Sequence, residues 1–198
     1  MSWRTAYDDL AARARALPDV VRRGLARDEA PPRVGLAGIR RVVATGVGSS
    51  AAHARLLAHL LAEHVGHDAR FRPLGAFLEP APEGSCDDLL VVISQGLAPN
   101  ARVALADLAA WRHVVVLTAT DERTARERGR VDAAELLAHL ESVGVEVRRL
   151  VAGVEEYGTL LRVTGPAAGF AAVVRYAAAL AAGVGRPRPW PACDPDRV

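Results

Sequence analysis

Three apolar runs constrain this chain more than any other feature: RVVAT at residues 41–45, LLVVI at 89–93 and HVVVLT at 113–118. None leaves a polar face, so each reads as a strand covered on both sides. Every run stops in a polar or glycine-rich loop, and a stretch with helical spacing follows. Strand, loop and helix repeated in that order predict a doubly wound parallel sheet, a three-layer α/β/α sandwich. Weaker strands are expected at 69–74 and 144–150, and a short turn or helix at 75–79.

The helical stretches are residues 3–27, broken near Pro18, then 51–65, 101–111 and 121–141. Residues 160–182 read as one long apolar helix, or two interrupted near Gly165–Pro166. Glu122–Arg126 and Glu135–His139 are spaced for side-chain pairing. One domain over residues 1–185 is expected, with a proline-rich tail at 186–198 that reads as an extended arm.

Composition narrows the function. With 198 residues, 51% hydrophobic and 24% charged, the chain buries a full core and is not disordered. The net charge of +2 and the lack of a basic block leave no footprint for nucleic acid. All 25 basic residues are arginine, so no side chain forms a lysine Schiff base, and lysine-anchored pyridoxal phosphate is excluded. Cys86 and Cys193 form no CxxC pair and are expected as free thiols in a reducing cytoplasm. Residues 167–184 are apolar, but Arg175 interrupts them, so a packed helix is expected and no membrane span. His59, His64 and His67 lack helical metal-ligand spacing; no metal and no cofactor is expected.

Parallel sheets bind ligands at the carboxyl ends of their strands. Two loops leave such ends. In the first, Thr45-Gly46-Val47-Gly48-Ser49-Ser50, Gly46 and Gly48 let backbone N–H groups approach an anion at a helix N-terminus. Ser49 or Ser50 either caps that helix or donates a hydroxyl to a ligand. A bare helix cap explains this loop as well as a ligand site does. In the second, Ser94-Gln95-Gly96-Leu97-Ala98-Pro99-Asn100, Ser94 and Gln95 sit where the strand ends and Asn100 is placed to cap the following helix. An ordinary strand-to-helix turn is the plain alternative there.

In their order, RRVVATGVGSSAAHA and DDLLVVISQG resemble the two signatures of the SIS (sugar isomerase) domain family. AGVEEYG with the alanine-rich helix after it is similar to the segment following the fourth strand in the isomerase half of glucosamine-6-phosphate synthase. The likeness runs roughly from residue 10 to 185 and implies a flavodoxin-like sheet with a phosphosugar or aminosugar-phosphate ligand. It also implies that Ser50 contacts the sugar phosphate, with Gly48 and Ser49 forming the approach and Ser94 and Gln95 opening the phosphate loop. The chain departs from the family at Gly96, where a serine is usual, and at Pro99, which has no N–H to offer.

The same likeness places an acid at Glu155 or Glu156 as the general base of an aldose–ketose isomerisation between C1 and C2. Adjacent glutamates are, as a rule, surface charge. His53 is a candidate acid for opening the sugar ring; a bystander on the helix surface is the plain alternative. Arg102 either supplies charge to the second loop or faces solvent. Two functional readings stay open: an isomerase or related lyase, and a non-catalytic sugar-phosphate-binding subunit. A single SIS-like unit implies a homodimer or a second SIS-type subunit as partner. A nucleotide-binding domain fits the sheet but not the loops.

Overall fold

The computed structural model describes residues 3–27, 29–150 and 162–186. Five strands form: β1 (Arg41–Gly46), β2 (Ala69–Phe71), β3 (Asp88–Ile93), β4 (His113–Thr118) and β5 (Glu146–Arg149). All neighbours pair in parallel, in the order β2-β1-β3-β4-β5. Val42 lies beside Leu89, and Val91 beside Val115, so the three apolar runs are the central strands. That order makes the sheet doubly wound, with its reversal between β1 and β3.

Alternate residues of each strand feed two separate cores. On one face Val42, Ala44, Leu89 and Val91 meet helices α3 (Ser49–His59) and α6 (Thr164–Gly183). On the other, Val43, Leu90 and Val92 meet Leu137 and Leu140 of α5 (Val131–Ser142). Both faces are therefore dry, as uninterrupted apolar runs require. α3 continues into a π-helical turn, Leu60–Val65, closed by Gly66 in the left-handed region.

The amino-terminal helix breaks at Ala16 into α1 (Trp3–Arg15) and α2 (Leu17–Ala26), with Pro18 in the first turn of α2 where a missing N–H costs nothing. α2 packs on α6. A β-carbon on Gly24 would lie 2.6 Å from the Ala171 β-carbon, so the two helices meet nearly backbone to backbone. Arg175, the charge inside the apolar helix, is absorbed by the same contact. It donates to the Gly24 carbonyl and pairs with Glu29 at 3.2 Å. Glu29 also pairs with Arg148, which bonds the buried Glu146 carboxylate at 2.9 Å. α6 has the length and composition of a membrane span, but its buried residues are core.

Residues 101–111 do not form the expected α-helix. They fold as 3₁₀ turns at Pro99–Leu105 and Leu108–Ala110. Ala101, Ala104 and Leu105 are buried there, the last two in the core on the α5 side of the sheet. Asp107 then leaves helical geometry (φ −125°, ψ 77°), which separates the two turns. The charged stretch 121–141 is helical but divided at Gly129 (φ +68°) into α4 (Glu122–Glu127) and α5. Asp121 caps α4 through Thr124 N–H, and Glu122 pairs with Arg126 at 2.8 Å. Cys86 is a free, exposed thiol; Cys193 lies outside the described residues.

Candidate functional site

At the carboxyl end of the sheet, the loops after β1 and β3 stand on either side of the strand-order reversal. Between them lies a cavity of about 450 Å³. Gly46, Gly48, Ser49, Ser50, Ser94, Gln95, Gly96 and Asn100 all line it. The two loops singled out by sequence thus form one concave surface, although 44 residues part Ser50 from Ser94.

The first loop is held by close approach. A β-carbon on Gly46 would sit 2.6 Å from Ser50 O and 2.9 Å from Ile93 O, so only glycine lets β1, α3 and β3 converge there. Gly48 (φ +61°, ψ −129°) turns the chain into α3. Neither Ser49 nor Ser50 caps that helix. The Ser50 and Ala51 amides donate instead within the turn, to Val47 O (3.1 Å) and Gly48 O (3.0 Å). Ser50 is buried and Ser49 exposed, and both hydroxyl-bearing residues border the cavity.

The second loop is tied to β4. Ser94 N–H donates to Leu117 O, and Gln95 O accepts from Ala119 N–H at 2.9 Å. Leu97 follows in the left-handed region (φ +49°) with its side chain fully buried. Asn100 does not cap the following turn: Ala98 is the N-cap, Pro99 takes the first helical position, and Asn100 is exposed. The Gln95 side chain packs on Gly165, where a β-carbon would come within 2.8 Å of Nε2. That contact brings the first turn of α6 up to the loop.

His53 is neither on the helix surface nor in the cavity lining. It is 6% exposed, turned into the α3–α6 contact, with Nε2 donating to Pro166 O at 2.8 Å. A β-carbon on Gly169 would lie 2.4 Å from the ring, so this glycine makes room for the histidine. Nδ1 is buried without a partner, and burial pushes the imidazole below its ordinary pKa, which keeps it neutral at pH 7. Arg102 lies away from the cavity and pairs with Asp132. Glu155 and Glu156 lie outside the described residues.

Two cavity residues escaped sequence reasoning: Arg130 and Arg162. Arg130 stands between α4 and α5 and donates to Gly96 O and, at 3.2 Å, to Leu97 O. In the sequence it is one of four arginines between 123 and 130, and no spacing marks it out. Among the described residues that line the cavity, the charged side chains are these two arginines and there is no carboxylate. Hydroxyls, backbone amides and guanidinium groups around a pocket of this size suit a small polyhydroxylated anion.

No family model and no curated protein sequence matches the chain. Solved structures do. The C-terminal domain of glucosamine-fructose-6-phosphate aminotransferase from Francisella tularensis matches 95% of the chain with a TM-score of 0.66 at 10% identity. This chain spans 50% of that one. An E. coli CFT073 protein solved in complex with a sugar phosphate matches 95% of this chain and 96% of its own, with a TM-score of 0.62 at 16% identity. The chain shares the fold of these structures, a parallel α/β sheet flanked by helices, as its strand and loop pattern implied.

Proposed function

We propose that the cavity between the β1 and β3 loops binds a phosphorylated sugar or aminosugar, and that the chain interconverts its aldose and ketose forms. The observation that carries the binding reading is the cavity itself: it sits at the strand-order reversal, and its lining carries hydroxyls and cationic groups. The sugar phosphate bound by the E. coli protein of the same fold supports it.

In the isomerisation, the carboxylate of Glu155 or Glu156 removes the proton from C2 of the open-chain aldose. The C2 electrons form the C1–C2 double bond, and the C1 carbonyl oxygen takes up a proton, giving an enediol. The carboxylic acid then returns a proton to C1 while the O2 hydroxyl gives up its own and becomes the carbonyl. His53, held neutral between α3 and α6, acts on this scheme only through the placement of α6, because its ring does not line the cavity. The working form is a homodimer or a pairing with a second SIS-type subunit.

A second reading is a non-catalytic sugar-phosphate-binding subunit. The observation favouring it is the second loop, which has Gly96 where the SIS family's usual serine would stand and Pro99, which offers no N–H. Two measurements separate the readings. A sugar phosphate at a hundredfold over its Kd should add ~2.7 kcal/mol, a rise of roughly 5–10 °C in Tm for a chain this long. Ser50→Ala and Ser94→Ala should each shrink that rise, and an undiminished rise in both would remove the ligand from this cavity. Exchange of the C2 proton for deuterium, followed by NMR, should cease in Glu155→Gln or Glu156→Gln with binding intact. No exchange in the wild-type protein, with a bound sugar phosphate, leaves the binding subunit as the function.

A further inference from the structure

The carbonyls of three consecutive residues in the second loop all accept hydrogen bonds from one side. Gln95 O accepts from Ala119 N–H and from the Thr118 hydroxyl at 3.2 Å. Gly96 O and Leu97 O accept from the two terminal nitrogens of Arg130. These donors stand on the β4 side of β3. In a trans peptide the N–H points opposite to its C=O. The amides of Gly96, Leu97 and Ala98 therefore turn away from these donors; Gly96 and Ala98 line the cavity, whereas Leu97 is fully buried.

The origin of the guanidinium is as fixed as its target. Arg130 N–H donates to Ala125 O at 2.8 Å, while Arg130 O accepts from Ala133 and Ala134 N–H, both at 3.1 Å. Its backbone is thus bonded to α4 and α5 at once. A planar fork anchored in this way reaches two successive carbonyls, which the single ammonium of a lysine does not match. The fork also holds Leu97 in a left-handed conformation that is unfavourable for a non-glycine residue.

We propose that Arg130 is a positioning residue: by gripping the Gly96 and Leu97 carbonyls it fixes the loop so that the amides of Gly96 and Ala98, which both line the cavity, face the anionic group of the ligand. Two further effects follow from the same contact. The positive charge polarises the peptide groups it bonds and makes their N–H groups stronger donors. The remaining donors of the guanidinium, five N–H in all with two used here, add cationic character to the cavity wall. The loop accordingly selects ligands by their anion and leaves recognition of the sugar hydroxyls to the side chains around it. This inference rests on the reading of the cavity as a phosphosugar site.

The test compares Arg130→Gln and Arg130→Lys with wild type by calorimetric titration, using a panel of sugar phosphates, their unphosphorylated sugars, and inorganic phosphate. Each variant's Tm is recorded first, and titrations are run well below it. Loss of two well-aimed amide contacts to an anion should weaken phosphate-bearing ligands by about 10- to 100-fold. Any affinity for the unphosphorylated sugar should stay within about twofold, a split that general loosening of the fold does not produce. Arg130→Lys should recover less than half of the loss on a logarithmic scale. Full recovery by lysine would show that charge alone acts and would overturn the positioning role. Unchanged sugar-phosphate affinity in both variants would overturn the inference and leave the phosphosugar reading standing. Arg130-dependent binding of inorganic phosphate without any sugar phosphate would do the reverse. A wild-type protein that binds neither overturns both.

Discussion

Gly46 lies where β1, α3 and β3 converge, and replacing it tests the site's architecture without touching a polar group. An alanine β-carbon there would lie 2.6 Å from Ser50 O, 2.7 Å from Ser50 C and 2.9 Å from Ile93 O. All three are backbone atoms on two different elements, so no side-chain rotation relieves the clash. Overpacking by one methyl costs about 1–3 kcal/mol where side chains give way, so Gly46→Ala should cost at least ~3 kcal/mol. For a chain of this length that is a fall of roughly 6–12 °C in Tm. Two neighbours serve as internal standards. At Gly48 a β-carbon meets nothing within 4 Å, but φ +61° with ψ −129° lies outside the left-handed helical well in a region that favours glycine, so Gly48→Ala carries only a backbone cost of about 1–3 kcal/mol. Gly75 is exposed, meets nothing within 4 Å and has no positive φ, so Gly75→Ala should be neutral or stabilise by about 0.4–1 kcal/mol. Urea denaturation of the three variants should rank them Gly46 below Gly48 below Gly75, with an unchanged m-value. A Gly46→Ala protein melting within ~2 °C of wild type would refute the close approach and the cavity geometry built on it.

The buried network offers a second test. Glu146 accepts from Arg33 N–H, Val34 N–H and Arg148, so Glu146→Ala strands a guanidinium that is 10% exposed and should cost about 3 kcal/mol in urea denaturation, Glu29 retaining part of the pairing. Arg126→Ala removes the exposed pair with Glu122 and should cost no more than ~0.5 kcal/mol; equal costs at the two sites would refute the distinction. Acid should destabilise the fold through His53 and His67, whose pKa values burial pushes below the ordinary 6.5. Below that pH the unfolded chain binds protons that the folded rings resist, so their contribution is full above about pH 6.5 and drains away as pH falls. The Tm should drop from pH 7 to 5.5 and drop less in His53→Gln; parallel curves would show that the His53 ring titrates freely.

The sheet was legible because its information is local. Val42–Val43, Leu89–Ile93 and Val114–Leu117 announce strands that water cannot reach, and the loops that end them fall on one edge by the geometry of parallel winding. That geometry also brought eight loop residues to one cavity. What failed was whatever depended on a partner distant in sequence. Residues 101–111 have helical composition, yet they fold as two 3₁₀ turns parted at Asp107, whose non-helical backbone no local propensity announces. His53 shares the buried stripe of α3 with Ser50, Ala54 and Leu57, but what encloses its ring is Gly169, more than a hundred positions later, which no local pattern announces. Arg130 looks like one member of a solvated charge run until its reach to Gly96 and Leu97 is seen. Nothing in the expected strand at 144–150 marks Glu146 and Arg148 as buried, because their partners Glu29 and the Arg33 and Val34 amides come from the opposite end of the chain.

The α2–α6 contact sets the order in which a nascent chain can close. Strands β1 to β5 add outward from β1 as they leave the ribosome, and α5 can cover its face soon after β4. On the opposite face α3 packs as soon as β1 has formed, but that core closes only with α6. Leu57, Leu61, Val91 and Leu180 share it, and α2 has its main packing surface only once α6 has emerged, ~150 residues later. At about 5–20 residues per second, α2 waits roughly 8–30 s for its partner in every synthesis. A ribosome stalled before residue 164 therefore releases a chain whose sheet has one face covered by α3 alone, with the apolar surface meant for α6 exposed, the kind of species that chaperones hold and that aggregates in their absence.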